Sequence, residues 1–155
     1  VSLTAYLSLS RPWTVAIERH GKRVENRHRW AGYAHLLRQA ERHVGQDIAL
    51  HSSGSYSRED AGYIKAVTGV WYARRDVPDK ALTSVVRIAG LLHPGDACPP
   101  GQERWYFGGF ALVLDNVRVL PTPVDMPGAL GFQKIPEPQL SNVLAQLGAL
   151  KGGPQ

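Results

Sequence analysis

Strand-like and helix-like segments do not alternate regularly along this chain, and that irregular order constrains its fold more than any other feature. Leu82–Leu92 has the clearest strand character, with Val85, Val86, Ile88 and Leu91 supplying β-branched and large apolar side chains. Ala5–Ser10, Lys22–Arg27, Asp47–His51, Phe110–Leu120 and Ala129–Ile135 read as further strands. A bend is expected at Asp115-Asn116, and Pro121–Pro127 reads as a proline-broken connector. Helices are expected from Pro12 to about His20, over Gly32–His43, from Ser57 to about Val70, and over Pro138–Leu147. Ser57 is a natural N-cap with Glu59 and Asp60 in the first turn behind it. Ser52–Ser55 reads as a turn, and Arg74–Asp79 and His93–Glu103 as loops. Five or six strands with three or four short helices in this order argue against a doubly wound parallel sheet. They favour an α+β fold, a small mixed β-barrel with flanking short helices.

A length of 155 residues fits one domain over 1–150, with a frayed tail at 151–155. Cys98 is the only cysteine, which excludes an internal disulfide and a cysteine-based zinc site. The six histidines show no ligand spacing, so neither a metal nor another cofactor is expected. Nothing reads as a signal peptide or as a membrane span of about 20 apolar residues, so a soluble, cytoplasmic protein is expected.

The net charge of +5 favours an anionic partner. Thirteen of the 18 basic residues are arginine. Arginine suits bidentate phosphate contact and base stacking, although a G+C-rich genome produces the same bias. Six Lys and Arg residues fall within 11–29, where Glu18 and Glu25 are the only acids. Lys22 sits at the start of its strand and can reach round to Glu25, and Glu25 and Arg27 share a face. A carboxylate between two cations stays ionised and keeps them charged. The plain alternative is a solvated surface pair worth about 0–1 kcal/mol.

Several other residues suggest ligand contact. Trp30, Trp105 and Tyr106 are candidates for stacking on a base, while Trp13 lies on the apolar face of its helix. His51 and Ser53 share a strand face and could meet a substrate together, whereas His51 and Ser52 point apart. Arg11 could extend the basic patch.

Four blocks together resemble the ASCH superfamily. They are Leu7-Ser8-Leu9-Ser10-Arg11-Pro12-Trp13, Lys22-x-x-Glu25-x-Arg27, His51-Ser52-Ser53 and Trp105-Tyr106-Phe107-Gly108, followed by Gly128–Phe132. The resemblance covers most of residues 5–135 and implies a PUA-like barrel with a cleft lined by the motif. It departs from the family at Gly21, which falls one residue late, and in the inserted Gly32–His43 helix. The implied ligand is RNA or another single-stranded nucleic acid, with DNA or a small nucleoside also open. Some members of such families instead hydrolyse an acylated cytidine or cleave RNA. The amidohydrolase branch has a threonine nucleophile where this chain has Glu25, and Leu82–Leu92 carries no carboxylate.

The expected site is therefore Lys22, Glu25, Arg27, Arg11, Trp30, His51, Ser53, Trp105 and Tyr106. In a hydrolase, Lys22 and Glu25 would be the catalytic pair. A protein-interaction domain with an incidental basic face is the third reading. The sequence leaves the oligomeric state open.

Overall fold

The computed structural model describes residues 3–151. Six strands form one mixed sheet: β1 (Ala5–Arg11), β2 (Val24–Asn26), β3 (Asp47–Tyr56), β4 (Ala81–Leu92), β5 (Ala111–Asp125) and β6 (Phe132–Lys134). Their order is β2-β5-β4-β3-β1-β6, with β1 and β3 parallel and the other neighbours antiparallel. Four helices accompany the sheet: α1 (Trp13–Arg19), α2 (Ala34–His43), α3 (Arg58–Thr68) and α4 (Gln139–Lys151). The architecture is α+β, with the sheet curled into a half-barrel.

Apolar side chains on the two sheet faces form separate cores. Leu7, Leu9, Ile48, Leu50, Val86 and Ile88 pack with Ile17, Trp30 and Ala40. Tyr6, Ala49, Leu82 and Val85 point the other way and pack with Val143 and Leu147 of α4. This is the period-two alternation of strands covered on both faces. A third cluster joins α1 to α3 through Val15, Ala16, Ile64 and Trp105.

Local chemistry explains the boundaries. The Ser57 hydroxyl accepts from the Asp60 amide at 3.1 Å and starts α3, and Gly69 ends it in the left-handed region at φ +84°. Strand β3 does not turn at Ser52–Ser55 but continues to Tyr56, where Arg11 is its partner on β1. Strand β5 runs through Pro121 and Pro123 to Asp125, correcting the expected connector. Both prolines fall in the irregular stretch between the Ser84–Val119 and Leu82–Val124 pairs with β4, and beyond the reach of β2, so they interrupt no paired rung. The expected Lys22–Arg27 strand shrinks to three residues. The Lys22 amide instead bonds back to the Ala16 carbonyl at 3.2 Å. The final strand is likewise shorter than expected, and α4 extends to Lys151. The rest of the expected tail lies outside the described residues. No helix among those described is long and apolar enough to cross a membrane.

The curl brings opposite ends of the sheet together. β6 pairs with β1 only over Ala5–Leu7. Beyond that last rung, the Ser8 carbonyl accepts from Arg27 Nη2 at 3.0 Å. Arg27 immediately follows β2, the strand at the far end of the sheet order. Trp30 packs near Phe132 of β6 across the same seam, with ring centroids 6.3 Å apart.

Candidate functional site

Gly21, at φ +72°, reverses the chain after α1 and turns the Lys22 side chain inward. Lys22 is 1% exposed, and its ammonium lies 5.0 Å from the centre of the Trp13 ring. It donates to the Val24 carbonyl and to Glu25 Oε1, the latter at 3.2 Å. Glu25 Oε2 lies 3.1 Å from Arg27 Nη2. The motif therefore forms a chain from Lys22 through Glu25 and Arg27 to the backbone of β1. Burial pulls the Lys22 ammonium below the usual lysine range, against the opposing pull of Glu25. The carboxylate does lie between two cations, as the sequence suggested. The assembly is an interior clasp, however, and Lys22 offers no open face to a phosphate.

Arg11 is also buried and committed. Its guanidinium donates to the carbonyls of Arg74 at 3.0 Å, Val77 at 3.3 Å and Gly54 at 2.9 Å. Arg23 likewise donates to the Ile17 and Lys22 carbonyls. Much of the basic crowd at 11–29 thus holds backbone instead of forming a free patch.

Trp30 and Trp105, expected as stacking platforms, are 3% and 1% exposed. The first packs into the main core, and the second stands edge-on to Trp13 at 6.5 Å. Neither presents a face to a base. Phe107 is the exposed aromatic of that block, at 55%, held edge-on against Tyr63 and Trp13. Asn26 fixes this loop by donating to the Trp105 carbonyl at 2.8 Å and accepting from the Phe107 amide at 3.0 Å. Tyr106 is half-buried and donates its hydroxyl to the Gly109 carbonyl.

His51 is fully buried and does not join Ser53, whose hydroxyl pairs with Ser55 at 3.0 Å. His51 instead faces Ser8, its direct partner across the parallel β1–β3 pair. Ser8 Oγ lies 3.0 Å from His51 Nδ1, and His51 Nε2 lies 2.6 Å from the Met126 carbonyl. Sequence reasoning missed Ser8 because the pairing needs strand order. Its signal was a polar residue recurring inside an otherwise apolar strand.

Sequence reasoning also missed an open cleft of about 1090 Å³ between the end of β3, the start of α3 and residues 71–80. Arg11 forms part of its floor. Arg58, Arg74, Arg75 and Lys80 line it with exposed side chains, against Asp76 and Asp79. Trp71 and Tyr56 supply aromatic surface, with Arg58 stacked 5.7 Å from Trp71 and Arg74 5.3 Å from Tyr56. Asp76 accepts from the Ala73 amide and so is partly engaged.

Among the described residues, no group of three or more His, Cys, Asp or Glu side chains could hold a metal ion. No protein-family model matches the chain, and no curated protein matches it.

Proposed function

We propose that this chain is an ASCH-like, PUA-like module that binds nucleic acid, with single-stranded RNA as the favoured ligand. The observation that carries the reading is the open basic cleft at 54–58 and 71–80. Arg58, Arg74, Arg75 and Lys80 turn charged ends outward there, beside the exposed Trp71. Phosphate neutralisation supplies most nucleic-acid affinity, and an aromatic surface adds base stacking. Single-stranded RNA is favoured because its unstacked bases can enter a recess that paired bases cannot. Lys22, Glu25 and Arg27 act in this reading by holding the seam and the β1 end that carries Arg11.

A hydrolase built on Lys22 and Glu25 has less support. The two groups do share one location, but each is engaged by the other and by backbone or Arg27. Neither faces the open cleft.

The test is fluorescence anisotropy of labelled single-stranded RNA, single-stranded DNA and duplex DNA at two salt concentrations. Each sample is then run on a denaturing gel. Single-stranded RNA should bind tightest and remain intact. The combined variant Arg74→Ala, Arg75→Ala, Lys80→Ala should flatten the slope of log K against log salt by about 2, at roughly 0.7 per lost single-strand contact. An unchanged slope sinks the assignment of the cleft. Shortened RNA sinks the purely binding role.

A further inference from the structure

The Ser8–His51 pair lies apart from the basic cleft and plays no part in the proposed binding. A main-chain carbonyl can only accept, so the contact to Met126 requires the proton on His51 Nε2. That fixes the tautomer and leaves the Nδ1 lone pair facing Ser8 Oγ at 3.0 Å. The serine hydroxyl must then donate to the imidazole. This is the arrangement of a nucleophile with an oriented base, in which the Met126 carbonyl serves as the third, orienting group.

The surroundings suit that role. Ser8 is half-buried under an exposed strap, while His51 lies fully buried behind it. The exposed strap Pro127-Gly128-Ala129-Leu130 passes over the pair, and its Ala129 amide lies 3.4 Å from Ser8 Oγ. A Cβ at Gly128 would stand 2.9 Å from His51 Cε1 and 3.0 Å from Ser8 Oγ, so only glycine allows this approach. The Arg27 guanidinium is anchored by Glu25 and touches the carbonyl of Ser8 itself. The Ala129 N–H thus points at the nucleophilic oxygen, and a fixed cation stands on the same residue. The titratable neighbours of His51 are Tyr6, whose ring centre is 5.7 Å away, and the Asp79 carboxylate. Burial holds the imidazole below the usual histidine range, so it is a free base at neutral pH.

We propose that Ser8 and His51 form a nucleophile–base pair that hydrolyses carboxylic esters with short acyl groups. The strap carries no charged residue, and its Gly128 backbone comes so close to Ser8 and His51 that only a short, uncharged acyl chain fits beside them. Ser8 Oγ bonds to the acyl carbon as its proton passes to His51 Nδ1. The ester C–O bond breaks, and His51 returns the proton to the departing alkoxide. Water then attacks the acyl-serine and gives its proton to Nδ1, and Ser8 Oγ leaves and takes that proton back. The sum is ester plus water to carboxylic acid plus alcohol.

The test treats the full chain with diisopropyl fluorophosphate and, separately, with p-nitrophenyl acetate. One phosphoryl adduct should form and map to Ser8, and p-nitrophenol should be released over repeated turnovers. Ser8→Ala should abolish both, and His51→Gln should slow both by about 100-fold or more. Because His51→Gln can disturb the fold, Ser8→Cys gives a second route. The thiol that Ser8→Cys introduces should react with iodoacetamide at pH 6.5 about 10-fold faster than Cys98 in the same chain, since His51 takes the thiol proton. No adduct on a folded chain, an adduct elsewhere, or an introduced thiol no faster than Cys98 overturns the proposal. The result is independent of RNA binding, so either reading can fail without the other.

Discussion

Glu25→Gln is the sharpest test of the clasp. The substitution keeps the shape and an acceptor for Lys22, but it removes the only anion between two cations. At an effective dielectric of 20, contacts of 3.2 and 3.1 Å each correspond to about 5 kcal/mol of Coulomb attraction. Desolvation opposes most of this, because the side chains of Lys22 and Glu25 are only 1% and 10% exposed. What the mutation leaves is a buried ammonium with no contacting counter-charge, only the weaker pull of Asp60, and an amide in place of the carboxylate beside Arg27. Breaking a buried pair in this way costs about 3–5 kcal/mol. We take about 3 kcal/mol, because Lys22 can escape part of the cost by losing its proton. For a chain of this size that is a fall in Tm of roughly 6–12 °C.

Lys22→Met should cost less, under about 2 kcal/mol, because it removes the buried charge and packs apolar atoms under Trp13. The Val24 carbonyl then lacks its lysine donor, which sets that residual cost. The double variant should be no less stable than Glu25→Gln alone. Urea unfolding at low salt and in roughly 0.5 M NaCl measures all three, and the ranking should survive the salt because the groups are buried. A loss under about 1 kcal/mol for Glu25→Gln would place the motif among surface pairs and refute the clasp. So would a larger loss for Lys22→Met than for Glu25→Gln.

Three further outcomes follow from other sites. Glu18 accepts from Thr83 at 2.7 Å, yet burial pushes its carboxyl above the usual range. A raised carboxyl pKa means that the folded state binds the proton more tightly, so stability falls as pH rises from the unfolded value through the folded one. Glu18→Gln should therefore stabilise the chain at pH 7–8 in urea titrations, with the gain vanishing below about pH 4.5; a loss at pH 7 refutes this. Arg11→Ala should free the carbonyls of Gly54, Arg74 and Val77, costing about 2–4 kcal/mol, with hydrogen exchange rising first over 73–80; uniform exchange would argue against a local anchor. Gly128→Ala should leave the melting temperature within about 3 °C, because the strap is exposed and can shift. It should nonetheless slow modification of Ser8 by about 10-fold, the loss expected when a reacting group is displaced by a fraction of an ångström. Unaltered reactivity would show that the strap does not position the pair.

The strands were legible where composition and local turn chemistry agreed. Val85, Val86 and Ile88 marked β4, and Ser57 marked the start of α3, whose end at Thr68 falls two residues short of the expected Val70. Pro121 and Pro123 misled because their tolerance depends on a register shift against β4 that only the strand pairing defines. Lys22 and Arg11 misled for a different reason. Charge type predicts exposure on average, but both guanidinium and ammonium groups enter the interior when carbonyls or a carboxylate await them. Trp30 and Trp105 illustrate the converse, since an indole beside charged residues still goes to the core when apolar side chains from the sheet or from α1 and α3 close over it. Nothing local joins Ser8 to His51, 43 residues away, and only the parallel pairing of their strands does so.

The short reach of β6 leaves an unprotected stretch of sheet margin from Ser8 onward. Such a margin can recruit a strand from another molecule and seed aggregation. Arg27 lies across it, holding the Ser8 carbonyl with a charged group that a foreign strand would have to displace. Glu25 fixes that guard from behind. The same arginine that helps to join the two ends of the sheet therefore also occupies the margin where a foreign strand would have to pair.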